Sequence, residues 1–387
     1  MPQIAGFRGA LWDPSKVELA KVAAAPITGV AGLIASGALR RDSSRALYLY
    51  HQTFEHERRQ VTRKMVLAAV KLTPWDERTV RPHEETDPAA RDHAIQGITA
   101  EHAHTEAVFA GYRDAAREVD RLFRKTEDEK PTLDTTTADG SRHRIWRVTS
   151  SEIIGQLRSL FAPKKLHVLD GHARYEGMLA YQQQVTGEQT PMYSTANYGL
   201  ACMVNLEDPA LVVAPRHHIV RGAGKRDAVL EAAKQYFVIE KLAGIATDVA
   251  KQRAALATTL AHQPAFLALF PGEADAWKLT LSPDVSPTAA GVQIHRALQK
   301  YDPVVIQKLM LPRVAASAPM ETATDAAAVI KAVEGGAELG IIARPLTIEQ
   351  ISHTIELGQL LPFGSTAFVP ALANLVVYAI DPDEDVV

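Results

Sequence analysis

The sequence predicts an α+β (mixed α/β) fold built of mixed sheets flanked by helices. Three observations predict it. Strand-like apolar runs recur along the whole chain, and Ala-rich or amphipathic helical runs lie among them. The two kinds do not alternate with the regularity of repeated βαβ units. At 387 residues the chain exceeds one minimal core, so more than one domain is expected.

The elements follow in order. "PSKVELAKVAAAP" is a helix candidate, and "RALYLYHQTF" and "RKMVLAAVKLTP" are strands separated by a charged turn, hence a hairpin. "HEETDPAARDHAIQGITAEHAH" reads for the most part as a solvated, charged connector. The polar run Arg124–Gly140 marks a seam and carries a hairpin signal at Asp139-Gly140, with "SRHRIWRV" as the return strand. Thr149 and Glu152 have capping-box spacing before an apolar helix face that Pro163 ends. Next comes "KKLHVLDGHARYEGMLAYQQQ", read as strand, turn and helix.

"LACMVNLEDPALVVAPRHHIV" is expected to form two strands joined at Asp208-Pro209, and Lys225–Ala261 is expected to be helical. "AFLALFPG" and "AWKLTLS" suggest a second hairpin. Toward the end, "DAAAVIKAVEGG" is a helix with a glycine C-cap, "AELGIIARP" a strand, "TIEQISHTIELG" a helix opened by a Thr347/Gln350 capping box, and "LANLVVYAI" a strand. Three regions are expected: 1–124, an N-terminal α+β region; 125–222, a central region; and 223–387, a C-terminal α/β region.

Composition excludes several classes. A net charge of −3 offers no footprint for nucleic acid or an anionic membrane surface. The single cysteine, Cys202 in "YGLACMVNL", excludes an internal disulfide and reads as a small buried hydrophobe. The first residues lack a continuous apolar core, and no apolar run is long enough to span a bilayer, so a cytoplasmic location is expected.

Asp170-Gly171-His172-Ala173-Arg174 is the main candidate for chemistry. A helix opening directly after a strand and a glycine turn leaves unpaired N–H groups and a positive dipole end, which suits a phosphate. Arg174 adds a bidentate donor, Asp170 suits a divalent cation or a helix cap, and His172 suits a phosphate donor or proton shuttle. The same residues also suit a plain turn with a helix cap. His83, Glu84, Glu85 and Thr86, with Asp92, His93, Glu101, His102 and His104, are dense enough for a metal or a general base, but without diagnostic spacing. Arg216-His217-His218 follows a strand and suits a site edge. "LPFGSTAFVP" lacks the lysine and glycine spacing of a phosphate loop.

"VLDGHARYEGMLAY" resembles the hallmark of the domain of unknown function 1015 family. "GFRG", "LYLYHQTF", "RPHEETDPAARDHAI", "VFAGYRD", "DGSRHRIWRV", "LVVAPRHHIV" and "LPFGSTAFVPALANLVVYAID" resemble the family's segments in its order, over nearly the whole chain. Three departures stand out: Ala173 replaces a second histidine, "APRHH" keeps His217 but loses the following arginine, and the C-terminal run lacks two lysines. The hallmark also resembles the phosphate-binding motif of the ParB/sulfiredoxin-like fold, which includes free-serine kinases with an Asp-Gly-His-x-Arg signature.

That second resemblance implies a nucleotide-dependent phosphotransferase acting on a small hydroxyl substrate such as free serine. The cofactors implied are ATP or ADP and Mg²⁺. Gly171, His172, Arg174 and His217 would hold the nucleotide, and Asp170 the metal. Glu84 would be the base, with His83 and Thr86 on the substrate side. The alternative is a non-catalytic regulatory protein that binds a nucleotide or small anion, which Ala173 and the missing lysines favour. Sequence does not show whether the "HEET" and "DGHAR" segments meet.

Overall fold

The computed structural model describes residues 3–386 other than 24, 261, 317–319 and 372. Ala24 and Ala261, within two expected helical stretches, and Leu372, within the C-terminal family-like run, lie outside the described residues. The fold is mixed α/β and divides into two compact units. Unit 1 is discontinuous, comprising residues 1–212 and 369–387, and unit 2 comprises residues 213–368.

Unit 1 is organised on a mixed sheet. Along it run, in spatial order, Val80–Arg81, Leu166–Asp170, Val108–Tyr112, Tyr198–Asn205, Arg59–Lys71, Leu47–His56, Arg142–Val148 and Leu133–Thr136; Ile4–Ala5 pairs at the side of Arg59–Lys71. The expected Leu47–His56/Arg59–Lys71 hairpin forms, with His56 opposite Arg59. Its two-residue turn places both Glu57 (φ 49°) and Arg58 (φ 63°) in the left-handed region, where Asn or Gly usually sits. The charged turn expected from sequence is therefore present without the residues that usually build it.

Two parallel pairings break the antiparallel order. Val80–Arg81 runs parallel to Leu166–Asp170, with Leu166 opposite Val80 and His167 opposite Arg81. Val108–Tyr112 runs parallel to Tyr198–Asn205. A smaller sheet in unit 1 orders Leu39–Arg41, Ala10–Trp12, Val376–Ala379 and Ala103–His104. Arg63, fully buried, donates to Gln52 Oε1 (2.5 Å) and to the Val369 carbonyl (2.8 Å), and Gln52 donates to the Pro370 carbonyl (2.9 Å). These bonds fasten the returning chain at the point where unit 1 resumes.

The stretch expected to be a solvated connector is instead largely ordered. Asp87 caps a helix over Pro88–Glu101 by accepting from Ala89 N, with Pro88 in the first turn where its missing N–H costs nothing. His83, Glu84 and His104 are buried, whereas Asp92 and His93 stay exposed. The Pro88–Glu101 helix packs on the helix His172–Val185, and Gly177 sets the contact distance: a Cβ there would lie 3.0 Å from Ala94 Cβ.

Unit 2 holds a six-stranded antiparallel sheet in the order Phe237–Leu242, Ala276–Leu281, Ala265–Leu269, Leu339–Ile342, His217–Val220 and Met320–Ala323. Ile219, Leu267 and Leu269 pack with Val329 and Val333 of the Ala326–Glu334 helix in its core. The Thr347/Gln350 capping box and the Gly335 C-cap are present as expected.

Several local expectations need correction. Ser150, not Thr149, caps the helix Ser151–Phe161, accepting from Ile153 N, because the helix starts one residue later than the box spacing implies. Lys225–Ala261 is not one helical stretch, since Phe237–Leu242 intervenes as a strand paired with Ala276–Leu281. Pairing along that strand outweighs the helical propensity of its Ala-rich flanks. Tyr198–Asn205 and His217–Val220 fall in different units and different sheets.

Gly177→Val is expected to lower stability by about 1–3 kcal/mol through overpacking of the two helices. Denaturant unfolding of unit 1 monitors this, and an unchanged midpoint would contradict the close approach.

Candidate functional site

Leu166–Asp170 is a buried strand whose last residue alone is exposed, since a β-bulge between Val168 and Asp170 shifts its register against Val108–Tyr112. Gly171 follows at φ 87°, outside the range of most side chains, and no side chain caps the helix that begins at His172. A Cβ on Gly171 would also lie 3.1 Å from the Arg174 guanidinium, which would have to shift slightly to admit it. The strand, glycine turn and helix expected from sequence are all in place.

The charged groups of this loop are paired with one another. Arg174 donates through Nη2 to Asp170 Oδ2 (3.1 Å) and through Nη1 to the Ala107 carbonyl. Glu106 Oε2 lies 3.5 Å from the same Nη1. Asp170 is 63% exposed, so its carboxylate keeps a face to solvent.

The parallel pairing of Val80–Arg81 with Leu166–Asp170 delivers the "HEET" segment to this loop. His83 N–H donates to His172 Nε2 (3.4 Å), and the two rings meet edge to face at 4.8 Å. His83 Nδ1 lies 2.8 Å from the Val168 carbonyl and so carries the proton that it donates. Burial lowers His83 to about 4 and takes His172 well below its ordinary value, with His83 and Arg174 adding to the effect on His172. Both rings are therefore neutral at physiological pH. His172 enters the site as an inward-facing, uncharged ring.

Glu84 is buried, with its Oε2 3.8 Å from His83 Nε2. Thr86 donates its hydroxyl to Glu176 Oε1 (2.8 Å), and Trp75 Nε1 donates to the same oxygen (3.2 Å). Trp75 stacks on Tyr175 at 4.4 Å, and the Tyr175 hydroxyl bonds to the Thr73 backbone on both its N–H (3.1 Å) and carbonyl (2.9 Å) sides. The motif helix thus meets the "HEET" segment at two residue pairs, His172 with His83 and Glu176 with Thr86, and the Thr73–Trp75 stretch through Tyr175 and Glu176.

His217 lies in unit 2, buried on the strand His217–Val220, where its Nδ1 accepts from Ala343 N (3.1 Å). Glu101 caps Gly29 and Val30 with its carboxylate (2.9 and 2.8 Å). Ser365, in "LPFGSTAFVP", donates to the Pro362 carbonyl (2.5 Å). Cys202 is buried and its thiol is pushed up to about 12 by burial, in keeping with a packing role. Among the described residues no group of three or more His, Cys, Asp or Glu side chains could hold a metal ion. None of their helices is long and apolar enough to cross a membrane.

Sequence reasoning missed Glu176, Trp75, Glu106 and the Ala107 carbonyl. Only Glu176, inside the hallmark "RYE", carried a signal; the others reach the loop through sheet pairing.

Glu176→Gln should weaken the tie to Thr86 and loosen the "HEET" segment, read as faster amide exchange at residues 83–86; unchanged exchange would reject that role. Acid should also destabilise unit 1. His51, lowered to about 3, and His83, His104, His143 and His167, lowered to about 4, are all held down chiefly by burial. Between about pH 6.5 and 4 the unfolded chain binds protons that these folded rings refuse. Stability is then complete above that window and falls as pH drops through it, and a flat unfolding midpoint over the range would contradict their burial as neutral rings.

A family model described as "Protein of unknown function (DUF1015)" matches residues 12–305. No curated protein matches the chain in sequence. Among solved structures, the chain is similar to free serine kinase in complex with AMP, at 13% identity and a TM-score of 0.39 over 79% of this chain and 87% of that one. It is similar to a conserved hypothetical protein from Pyrococcus furiosus, at 12% identity and a TM-score of 0.38 over 79% and 90%. It is also similar to SbnI with a C-terminal truncation from Staphylococcus aureus, at 10% identity and a TM-score of 0.37 over 79% and 83%. With a family model spanning residues 12–305, the chain belongs to the DUF1015 family of proteins of unknown function.

Proposed function

We propose that unit 1 is a nucleotide-dependent phosphotransferase acting on a small hydroxyl substrate. One observation carries the reading: the buried Glu84 carboxylate stands beside His83, whose own backbone and ring are bonded to the loop and strand of Asp170–Arg174. A proton acceptor and an anion-holding helix N-terminus are thereby joined in one rigid arrangement. Phosphoryl transfer requires little more than such positioning with charge neutralisation.

In this reading the helix N-terminus and Arg174 hold the phosphates of ATP or ADP. Glu84 takes the proton of the acceptor hydroxyl as that oxygen bonds to the terminal phosphorus. The bond from phosphorus to its bridging oxygen breaks, and the electron pair leaves with the nucleotide product. His83, bonded to Val168 and His172, fixes the backbone from which Glu84 projects, while Thr86 and Glu176 fix the rest of the segment. The residues fit a magnesium ion that arrives with the nucleotide, because such an ion needs only one or two protein carboxylates and Asp170 offers an exposed one. Bound there, it would offset phosphate charge.

A second reading has its own support. With Ala173 in place of a histidine and His172 neutral, Arg174 is left as the cation of the Asp170–Arg174 loop, which suits a protein that binds a nucleotide or small anion and regulates a partner.

Thermal unfolding with ATP, ADP or CTP plus Mg²⁺ tests both. The melting temperature should rise, and Asp170→Ala or Arg174→Ala should abolish the rise; no shift across the panel sinks both. Phosphate transfer to a pool of hydroxyl metabolites, serine included, then divides them. Glu84→Ala should keep the thermal shift and lose turnover by at least about a hundredfold. Binding without turnover in the unaltered protein would leave the regulatory reading.

A further inference from the structure

We infer that Glu106 is a built-in competitor for the motif arginine, holding Arg174 in a self-neutralised pose that an incoming phosphate has to break. The inference rests on the reading of the loop as a phosphate site. Its ground is the pairing of both terminal nitrogens: Nη1 to the Ala107 carbonyl and Glu106, and Nη2 to Asp170.

These acceptors are not equally able to yield. The Ala107 carbonyl belongs to a buried residue at the start of the Val108–Tyr112 strand and cannot move without it. Asp170 carries a shorter side chain on the fixed end of its own strand and accepts a 3.1 Å hydrogen bond from Nη2. Glu106 is 55% exposed at 3.5 Å and can swing into water. Asp170 and Glu106 both flank the Arg174 guanidinium, so two carboxylates face its one positive charge where an anion would arrive. Glu106 therefore lowers affinity for phosphate twice, by occupying Arg174 and by repelling the ligand. Its loss should strengthen binding, the reverse of what deletion of a polar group beside a site normally does.

The test uses Glu106→Gln and Glu106→Ala in the full chain, with Glu188→Gln as a control acid on a distant exposed turn. Without ligand, phenylglyoxal should modify Arg174 about two- to fivefold faster in the Glu106 variants than in the unaltered protein, as read by peptide mass spectrometry. With inorganic phosphate as probe, Kd should tighten by a similar factor at low ionic strength, and the gain should vanish near 1 M salt. Unchanged Arg174 reactivity, or weaker phosphate binding in the variants, overturns the inference while leaving the phosphate site standing. Faster Arg174 modification with no phosphate bound by any of the proteins overturns the phosphate-site reading, and the inference falls with it.

Discussion

A two-rung parallel ladder, Leu166 opposite Val80 and His167 opposite Arg81, determines which residues of this protein can act together. Parallel neighbours cannot be joined by a tight turn, so the chain between them makes a long excursion, and within it the sheet gains Val108–Tyr112, Leu133–Thr136 and Arg142–Val148. Only after that excursion does the motif strand arrive beside Val80–Arg81. The hydrogen bonds from His83 to His172 and Val168 then continue the alignment past the last rung. Remove the ladder and Glu84 has no defined relation to the loop.

Much of the fold was legible because local signals and tertiary needs agreed. Alternating apolar runs marked Leu47–His56 and Arg59–Lys71, a Thr–Gln box marked the helix at Ile348, and Asp-Gly-His marked a strand end followed by a helix. The failures share a cause. Phe237–Leu242 is a strand because Ala276–Leu281 lies beside it, a partner that no local pattern announces. The two units were hidden because unit 1 closes with residues from the far end of the chain, a relation no local pattern records.

The candidate site divides in the same way. The loop itself was readable, since its chemistry is local: a glycine forced left-handed, an arginine one turn into a helix, an aspartate at a strand end. What surrounds it was not. "HEET" looked like a solvated run because its composition is charged, yet His83 and Glu84 are buried by packing against the motif helix and strand. Burial also bears on His172, read from sequence as a phosphate donor or proton shuttle, which stands here as a neutral acceptor of a backbone N–H.

The return of the chain at Val369 has a consequence for how the protein is made. Synthesis proceeds from the N-terminus, and unit 2 lies wholly between the two parts of unit 1. While unit 2 is emerging from the ribosome, Arg63 and Gln52 lack the Val369 and Pro370 carbonyls that later satisfy them, and the small sheet lacks Val376–Ala379 between Ala10–Trp12 and Ala103–His104. The nascent first part must carry an uncovered buried-type cation and two open strand edges until residues 369–387 arrive. A stalled or truncated product ending inside unit 2 is consequently an aggregation hazard, and the 369–387 segment serves as the seal on a unit begun more than three hundred residues earlier.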